Sequence, residues 1–324
     1  MNTVHAPWIK LKESLNHEDY DLINVLQEQC VRKEQVTLKL ELDYKLGASL
    51  ESAERAGIQD VNEFMYFDGR RLVGYIGICG FGRPEAPLEA TGMVHPEYRR
   101  QGIFSILHQF VLAECQRRNS GGILVLCEKG SVSGQKFLEK LGAVYQYSEF
   151  EMYLQENSPG PSEERLRGVT LRKAANADAR EIARQDAIYF CGRAQLPEPG
   201  SEESASAAFV EKDVPGEAVL LPEDEEKRGM TIYLAEKDDR VVGKVHLQIS
   251  AAALGGIYGL GVLPEHRGNG FGRAILLGAV EKLKDAKAKA IMLQVAAENA
   301  KALNLYTSCG FRETSVMDYF RLNP

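Results

Sequence analysis

Two stretches decide the reading of this chain: His95-Pro-Glu-Tyr-Arg-Arg-Gln-Gly-Ile-Phe-Ser-Ile-Leu107 and Leu263-Pro-Glu-His-Arg-Gly-Asn-Gly-Phe-Gly-Arg-Ala-Ile-Leu276. Pro96, Arg99 and Gly102 of the first precede Pro264, Arg267 and Gly270 of the second by one constant offset, 168 residues (264 − 96, 267 − 99, 270 − 102). Gly142 and Gly310 keep the same offset (310 − 142), and Gly74 and Gly243 differ from it by one (243 − 74 = 169). Phe67–Ile78 resembles Ala235–Ile249, and Trp8–Ser14 resembles Val169–Ala175, each of the latter two followed by an amphipathic helix. Self-similarity at a fixed period across this many elements marks a duplication.

The duplication organises the rest of the chain. Its 324 residues suit two domains of ordinary size. The polar, Pro- and Gly-containing stretch Glu156–Glu164 reads as the junction. Residues 1–157 are expected to form an N-terminal domain, 158–167 a linker and 168–324 a C-terminal domain. In the C-terminal half, periodicity predicts strands near 169–172, 231–235, 241–249, 257–262, 290–295 and 315–320, with helices near 178–190, 270–284 and 299–308. Residues 196–229 read as irregular with a short helix near 204–212, and the acidic run Glu223–Glu226 as a solvated loop. The N-terminal half repeats the order.

Composition excludes several classes of function. A net charge of −7 and the absence of a basic stripe interleaved with aromatics argue against nucleic acid. No run approaches 18 apolar residues, and the segment MNTVHAPWIKLKES has no apolar signal core, so neither a membrane nor export is expected. The six cysteines are scattered without CxxC or zinc-like spacing. They read as reduced, buried thiols in a cytoplasmic protein, and no metal site is expected.

The stretch that carries chemistry is Gly261–Arg273. It follows a predicted strand and opens a predicted helix. Gly268, Gly270 and Gly272 leave the backbone uncrowded, so its N–H groups can converge on one concavity. The helix N-terminus adds a partial positive charge, and Arg267 and Arg273 add full ones. The set suits a diphosphate. It is not a P-loop, lacking GK[ST], nor a dinucleotide fingerprint, lacking an acidic residue after the next strand. A companion segment follows one strand and one helix later, Ala297–Phe311, with Asn299, Ala302, Leu305-Tyr306 and Gly310-Phe311.

Together these segments resemble motifs A and B of the GNAT superfamily of N-acetyltransferases. Motif A, [QR]xxGx[GA], is here Arg267-Gly-Asn-Gly270-Phe-Gly272. The resemblance implies an α/β fold of two tandem GNAT-like domains. Each would be a mixed, mostly antiparallel sheet with helices on both faces and a splayed parallel strand pair, here 257–262 and 290–295. It also implies acetyl-CoA as co-substrate. The pyrophosphate would lie on Arg267, Gly268, Asn269, Gly270, Phe271, Gly272 and Arg273. Backbone groups of Leu260 and Val262 would meet the pantetheine and the acetyl carbonyl, and Asn299, with Ala302 beside it, the pantetheine arm. Tyr306 would stand near the thioester sulfur. A phenol can give a proton to a leaving thiolate while an amine attacks directly in a ternary complex. His246, Glu298 and water all remain open as the base.

The N-terminal copy departs from the pattern. Phe104 stands where motif A has Gly or Ala, Ser131 aligns with Asn299, and Leu138 aligns with Tyr306. Phe137, the neighbour of Leu138, has no hydroxyl. The N-terminal half is therefore expected to be non-catalytic. The acceptor would be a small-molecule or peptide amine, and a monomer is favoured over a homodimer. The competing reading is a non-catalytic acyl-CoA-binding sensor or scaffold.

Overall fold

The computed structural model describes residues 2–49, 60–80, 87–156, 166–190, 221–250 and 252–322. They belong to two units, Met1–Gln155 with Met292–Pro324, and Glu156–Ile291. The expected helix near 204–212 and most of the expected linker lie outside the described residues.

In the first unit the strands run β1 (Pro7–Lys12), β2 (Glu63–Asp68), β3 (Arg71–Cys79), β4 (Leu88–Val94), β5 (Ile123–Glu128), β6 (Val144–Leu154), β11 (Ala290–Ala296, paired from Met292) and β12 (Phe311–Leu322). Their order across the sheet is β1-β2-β3-β4-β5-β12-β6-β11. Side chains along β2 alternate between two cores: Phe64 and Tyr66 face one, Met65 and Phe67 the other. The first core is closed by α3 (Ile103–Arg117), whose Ile103, Leu107, Val111 and Cys115 recur every fourth residue, and by Leu138 of α4 (Val132–Leu141). The second is closed by Ile23, Leu26 and Cys30 of α1 (His17–Glu34) and by α2 (Leu42–Ser49). Asn16 caps α1 by accepting the N–H of Asp19. β3 is covered on both faces, which explains its nearly unbroken apolar run Leu72–Ile78.

β12 lies between β5 and β6, antiparallel to both. The last strand of the C-terminal repeat therefore completes the sheet of the N-terminal repeat, while β6, the last strand of the N-terminal repeat, pairs with β11. Sequence repeat and structural unit part company at Met292.

β4 and β5 are parallel, in register from Leu88↔Ile123 to Ala90↔Val125, and both strands continue beyond that register, to Val94 and Glu128. On this sheet Lys39, Glu89, Glu149 and Tyr319 converge. The Lys39 ammonium donates to Tyr319 Oη at 2.7 Å and to Glu149 at 3.4 Å, and the Tyr319 hydroxyl donates to Glu149 at 2.6 Å. Burial pushes the Glu89 carboxyl up to about 7, with Lys39 opposing the shift and Glu149 adding to it.

The second unit is the antiparallel sheet β10-β9-β8-β7, made of β7 (Thr170–Lys173), β8 (Met230–Lys237), β9 (Arg240–Ile249) and β10 (Leu254–Val262). It carries α5 (Ala179–Phe190), α6 (Pro222–Lys227) and α7 (Phe271–Asp285). Asp238 and Asp239 turn the β8–β9 hairpin with φ of 49° and 58°, a conformation short polar side chains tolerate. The acidic run is a helix rather than the irregular loop expected. Pro222 starts it, and Asp224 and Glu225 pair one turn ahead with Lys227 and Arg228. Glu226 pairs with Lys173.

Two outcomes follow. A chain ending at Gln155 lacks β12 and leaves the apolar edge of β5 open, so it should show no cooperative thermal melt by circular dichroism, in contrast to the full chain. The folded state holds a proton on Glu89 that the unfolded chain releases from 4.5 upward, so this stability is present below about pH 4.5 and lost as pH rises to about 7. The loss is roughly 3 kcal/mol at 1.36 kcal/mol per pH unit. Urea midpoints should fall across that window, and Glu89→Gln should flatten the fall.

Candidate functional site

In the second unit, β10 ends at Val262 and the chain passes through a 3-10 turn (Pro264–His266) into α7. Arg267 donates from Nε to the Val262 carbonyl at 3.0 Å, tying the loop to the strand that feeds it. Gly268 and Gly270 take φ of 81° and 79°, the left-handed region where glycine is unstrained. Gly270 caps α7 without a side chain, and the space a Cβ would occupy at Gly268 is open. Asn269 folds back, its Nδ2 donating to the His266 and Arg267 carbonyls. Phe271, Gly272 and Arg273 form the first turn of α7. The first turn of α7 leaves backbone donors without intrahelical partners, and Arg267 stands beside them, chemistry that suits an anion.

Arg167 joins this loop. Its guanidinium lies against Gly270, with Nε 2.8 Å from where a Cβ would be. Sequence reasoning left Arg167 at the end of the linker, since nothing in its spacing connects it to a loop a hundred residues later.

β10 is irregular where the site needs it to be. Tyr258 pairs with His246 and Gly261 with Lys244, so Gly259 and Leu260 stand opposite the single residue Val245. This bulge turns backbone groups out of the ladder. Leu260 is therefore a bulge residue, whereas Val262 is back in register with Gly243. Gly259 has φ of 55° and its Cα lies under the His246 ring, while the ring of Tyr189 from α5 lies on Gly261.

The expected base candidate His246 is already engaged. Its Nε2 is 2.7 Å from the Lys244 ammonium, and burial, reinforced by that charge, pushes the imidazole down to about 3. Lys244 is fully buried and pairs with Asp186 of α5 at 2.7 Å.

The remaining expected residues belong to the first unit. Asn299 is the N-cap of α8 (Ala300–Ser308), its Oδ1 accepting the Ala302 N–H at 3.1 Å, which leaves Nδ2 as its donor group. Tyr306 is buried on α8, its ring 6.3 Å from that of Phe311.

The N-terminal copy repeats the loop backbone closely. Arg99 Nε donates to the Val94 carbonyl at 3.0 Å, and Gly102 caps α3 with φ of 80°. Its chemistry differs. Arg99 is held in a two-pronged pair with Glu34, which cancels its charge beside the loop. Phe104 packs edge-on against Phe137 at 4.8 Å. β4 runs in unbroken register with β3 from Gly74↔Val94 to Cys79↔Glu89, without a bulge.

The acetyltransferase (GNAT) family model matches the chain twice, over residues 28–143 and 199–311. A mycothiol acetyltransferase of Thermobispora bispora is 25% identical over 302 residues, 83% of this chain and 92% of its own length. One from Pseudarthrobacter chlorophenolicus is 30% identical over 259 residues, 75% of this chain and 72% of its own. In fold, the chain resembles a GCN5-related N-acetyltransferase from Sphaerobacter thermophilus (TM-score 0.67, 16% identity, 98% of this chain and 96% of the other). It also resembles a tandem GNAT protein from the clavulanic acid biosynthesis pathway (TM-score 0.64, 13% identity, 98% and 99%).

Because the Tyr189 ring occupies the space of a Cβ at position 261, Gly261→Ala should force the ring away. An overpacking cost of about 1–3 kcal/mol is expected, read as a lowered urea midpoint. Tyr189→Ala in the same chain should recover part of it.

Proposed function

The chain belongs to the GNAT family and is a tandem N-acetyltransferase, and from that premise we propose that the C-terminal repeat transfers acetyl from acetyl-CoA to the primary amine of a small molecule. The observation that carries this reading is the asymmetry between two loops of equal backbone geometry. The C-terminal loop is preceded by a bulged strand and carries Arg267, while the N-terminal loop follows a regular strand and has its arginine neutralised by Glu34. The glycine loop fits a pyrophosphate by its open space, its helix N-terminus and the charges of Arg267 and Arg167.

In this reading Arg267 to Arg273 hold the pyrophosphate, and Asn299 and Ala302 border the pantetheine arm. The Leu260 N–H, released by the bulge, takes the developing charge on the acetyl oxygen. A donor so aimed is worth about 3 kcal/mol of barrier. The incoming amine, once deprotonated, attacks the carbonyl directly, and the C–S bond breaks as Tyr306 gives its proton to the sulfur. The resemblance of Ala297–Phe311 to motif B supports this reading of Tyr306. His246 is the weakest of the base candidates, because its Nε2 already accepts from Lys244. Glu298 or a water then takes the amine proton. The relatives named mycothiol acetyltransferase make a mycothiol-type amine the first acceptor to try.

Calorimetry with acetyl-CoA tests the loop. Native protein should bind and Gly270→Glu should not, since it adds an anion at a left-handed position against Arg167. Thiol release across a panel of primary amines tests the chemistry: Tyr306→Phe should lose about a hundredfold in kcat and keep its acetyl-CoA affinity. Equal binding by native and Gly270→Glu chains would refute the assignment of the cofactor site, and an unchanged kcat in Tyr306→Phe would refute the role of the phenol.

A further inference from the structure

The second unit buries a lysine inside a sheet. The Lys244 side chain has no exposed surface, yet its ammonium sits 2.7 Å from Asp186 and 2.7 Å from His246 Nε2. Asp186 is 39% exposed, so the three groups form a line from the surface of α5 to the middle of β9. Burying an ammonium is costly even when paired, and an apolar side chain would fill the same space without that cost. Such a group asks for a purpose beyond packing.

Its position supplies one. The pairs flanking the bulge of β10 are Tyr258↔His246 and Gly261↔Lys244. The two bonded side chains therefore come from the two residues of β9 that bracket the bulge, on one face of the strand by alternation. An ammonium only donates, so Nε2 of His246 accepts and the ring proton sits on Nδ1. The ring held this way lies on Gly259, where a Cβ would come within 3.2 Å of Cδ2. Gly259 adopts φ of 55° and directly precedes Leu260. On the α5 side, Tyr189 lies on Gly261 and donates its hydroxyl to the buried Gln185, so α5 presses on the other end of the same four residues.

We propose that Asp186, Lys244 and His246 are positioning residues that fix the β10 bulge, and with it the Leu260 N–H, in the geometry the acetyl carbonyl requires. The inference rests on the reading given under Proposed function. His246 here is a support for the backbone and not the base. It stays neutral because burial and the Lys244 charge both oppose its protonation. The charged group beside it is Lys244 on its own strand, itself paired with Asp186 of α5, and its cross-strand partner on β10 is the titratable Tyr258.

The test compares native protein with Lys244→Met and Asp186→Asn. By NMR, native His246 should show an acceptor-type Nε2 and no titration between pH 5 and 8. In Lys244→Met the ring should change tautomer or begin to titrate, and the Leu260 amide resonance should shift. With the fastest amine of the panel, Lys244→Met should lose about tenfold to a hundredfold in kcat, while KM for acetyl-CoA changes less than about threefold. Asp186→Asn, at a partly exposed position, should show the same split more weakly and decides the matter if Lys244→Met does not fold. An unchanged Leu260 amide, or a kcat within twofold of native in folded variants, overturns the proposal. If native protein acetylates no amine, the reading of function fails, and the Leu260 amide alone still decides whether the line holds the bulge.

Discussion

The antiparallel pairing of β12 with β5 and β6 is the constraint on which the first unit depends. β12 spans Phe311–Leu322 and is in register with β5 from Met317↔Glu128 to Leu322↔Ile123, and with β6 along most of its length. Tyr319 is 1% exposed and stacks on Tyr147 at 4.4 Å. Without β12, β5 would present unpaired N–H and C=O groups along an apolar strand, the least tolerable kind of edge. The Lys39, Glu149 and Tyr319 network is then a by-product of this insertion, because its phenol arrives on β12. A strand so remote in sequence makes folding of the N-terminal repeat wait on nearly the whole chain, a non-local contact that costs loop-closure entropy before it contributes.

Duplication preserved backbone geometry more faithfully than chemistry. Arg99 and Arg267 both reach back to the carbonyl five residues earlier, and Gly102 and Gly270 take φ of 80° and 79°. Turns of this shape depend on a few glycines and one hydrogen bond, so they survive substitution around them. Arg100 even holds φ of 66° where the other copy has Gly268, at a cost of about 1 kcal/mol. What drifted is the side-chain layer: Glu34 now pairs with Arg99, and Phe104 now packs on Phe137. The Glu34 carboxylate answers the Arg99 charge inside the protein, while the loop backbone stays intact.

The second unit retains buried charge at Lys244, in a sheet whose buried side chains include Val242, Val245, Leu234 and Ile232. In some proteins a buried ion pair specifies one arrangement over others of similar energy, the role proposed above for Lys244. Here the alternatives are concrete, because a strand containing Gly259 and Gly261 has little side-chain packing of its own to set its register. His246 and Tyr189, lying directly on those glycines, supply from outside what β10 lacks.

The duplication, the mixed α/β fold, the glycine loop and the membership of the family were all legible in the sequence, because they rest on local chemistry: glycines at left-handed positions, an arginine beside them, apolar residues at fixed period. Among the described residues of the C-terminal repeat, helix and strand positions were legible for the same reason, except at Pro222–Lys227, where reading acidic residues as a loop missed that a proline start and one-turn ion pairs suffice for a short helix. Tertiary structure alone decided which strand β12 would join, that Glu34 would answer Arg99, that Arg167 would lie against Gly270, and that Lys244 rather than solvent would face His246. Each of these is a contact between residues far apart in the chain. Strand pairing and buried ion pairs are chosen by the free energy of closing one loop against another, and no spacing along a sequence records that choice.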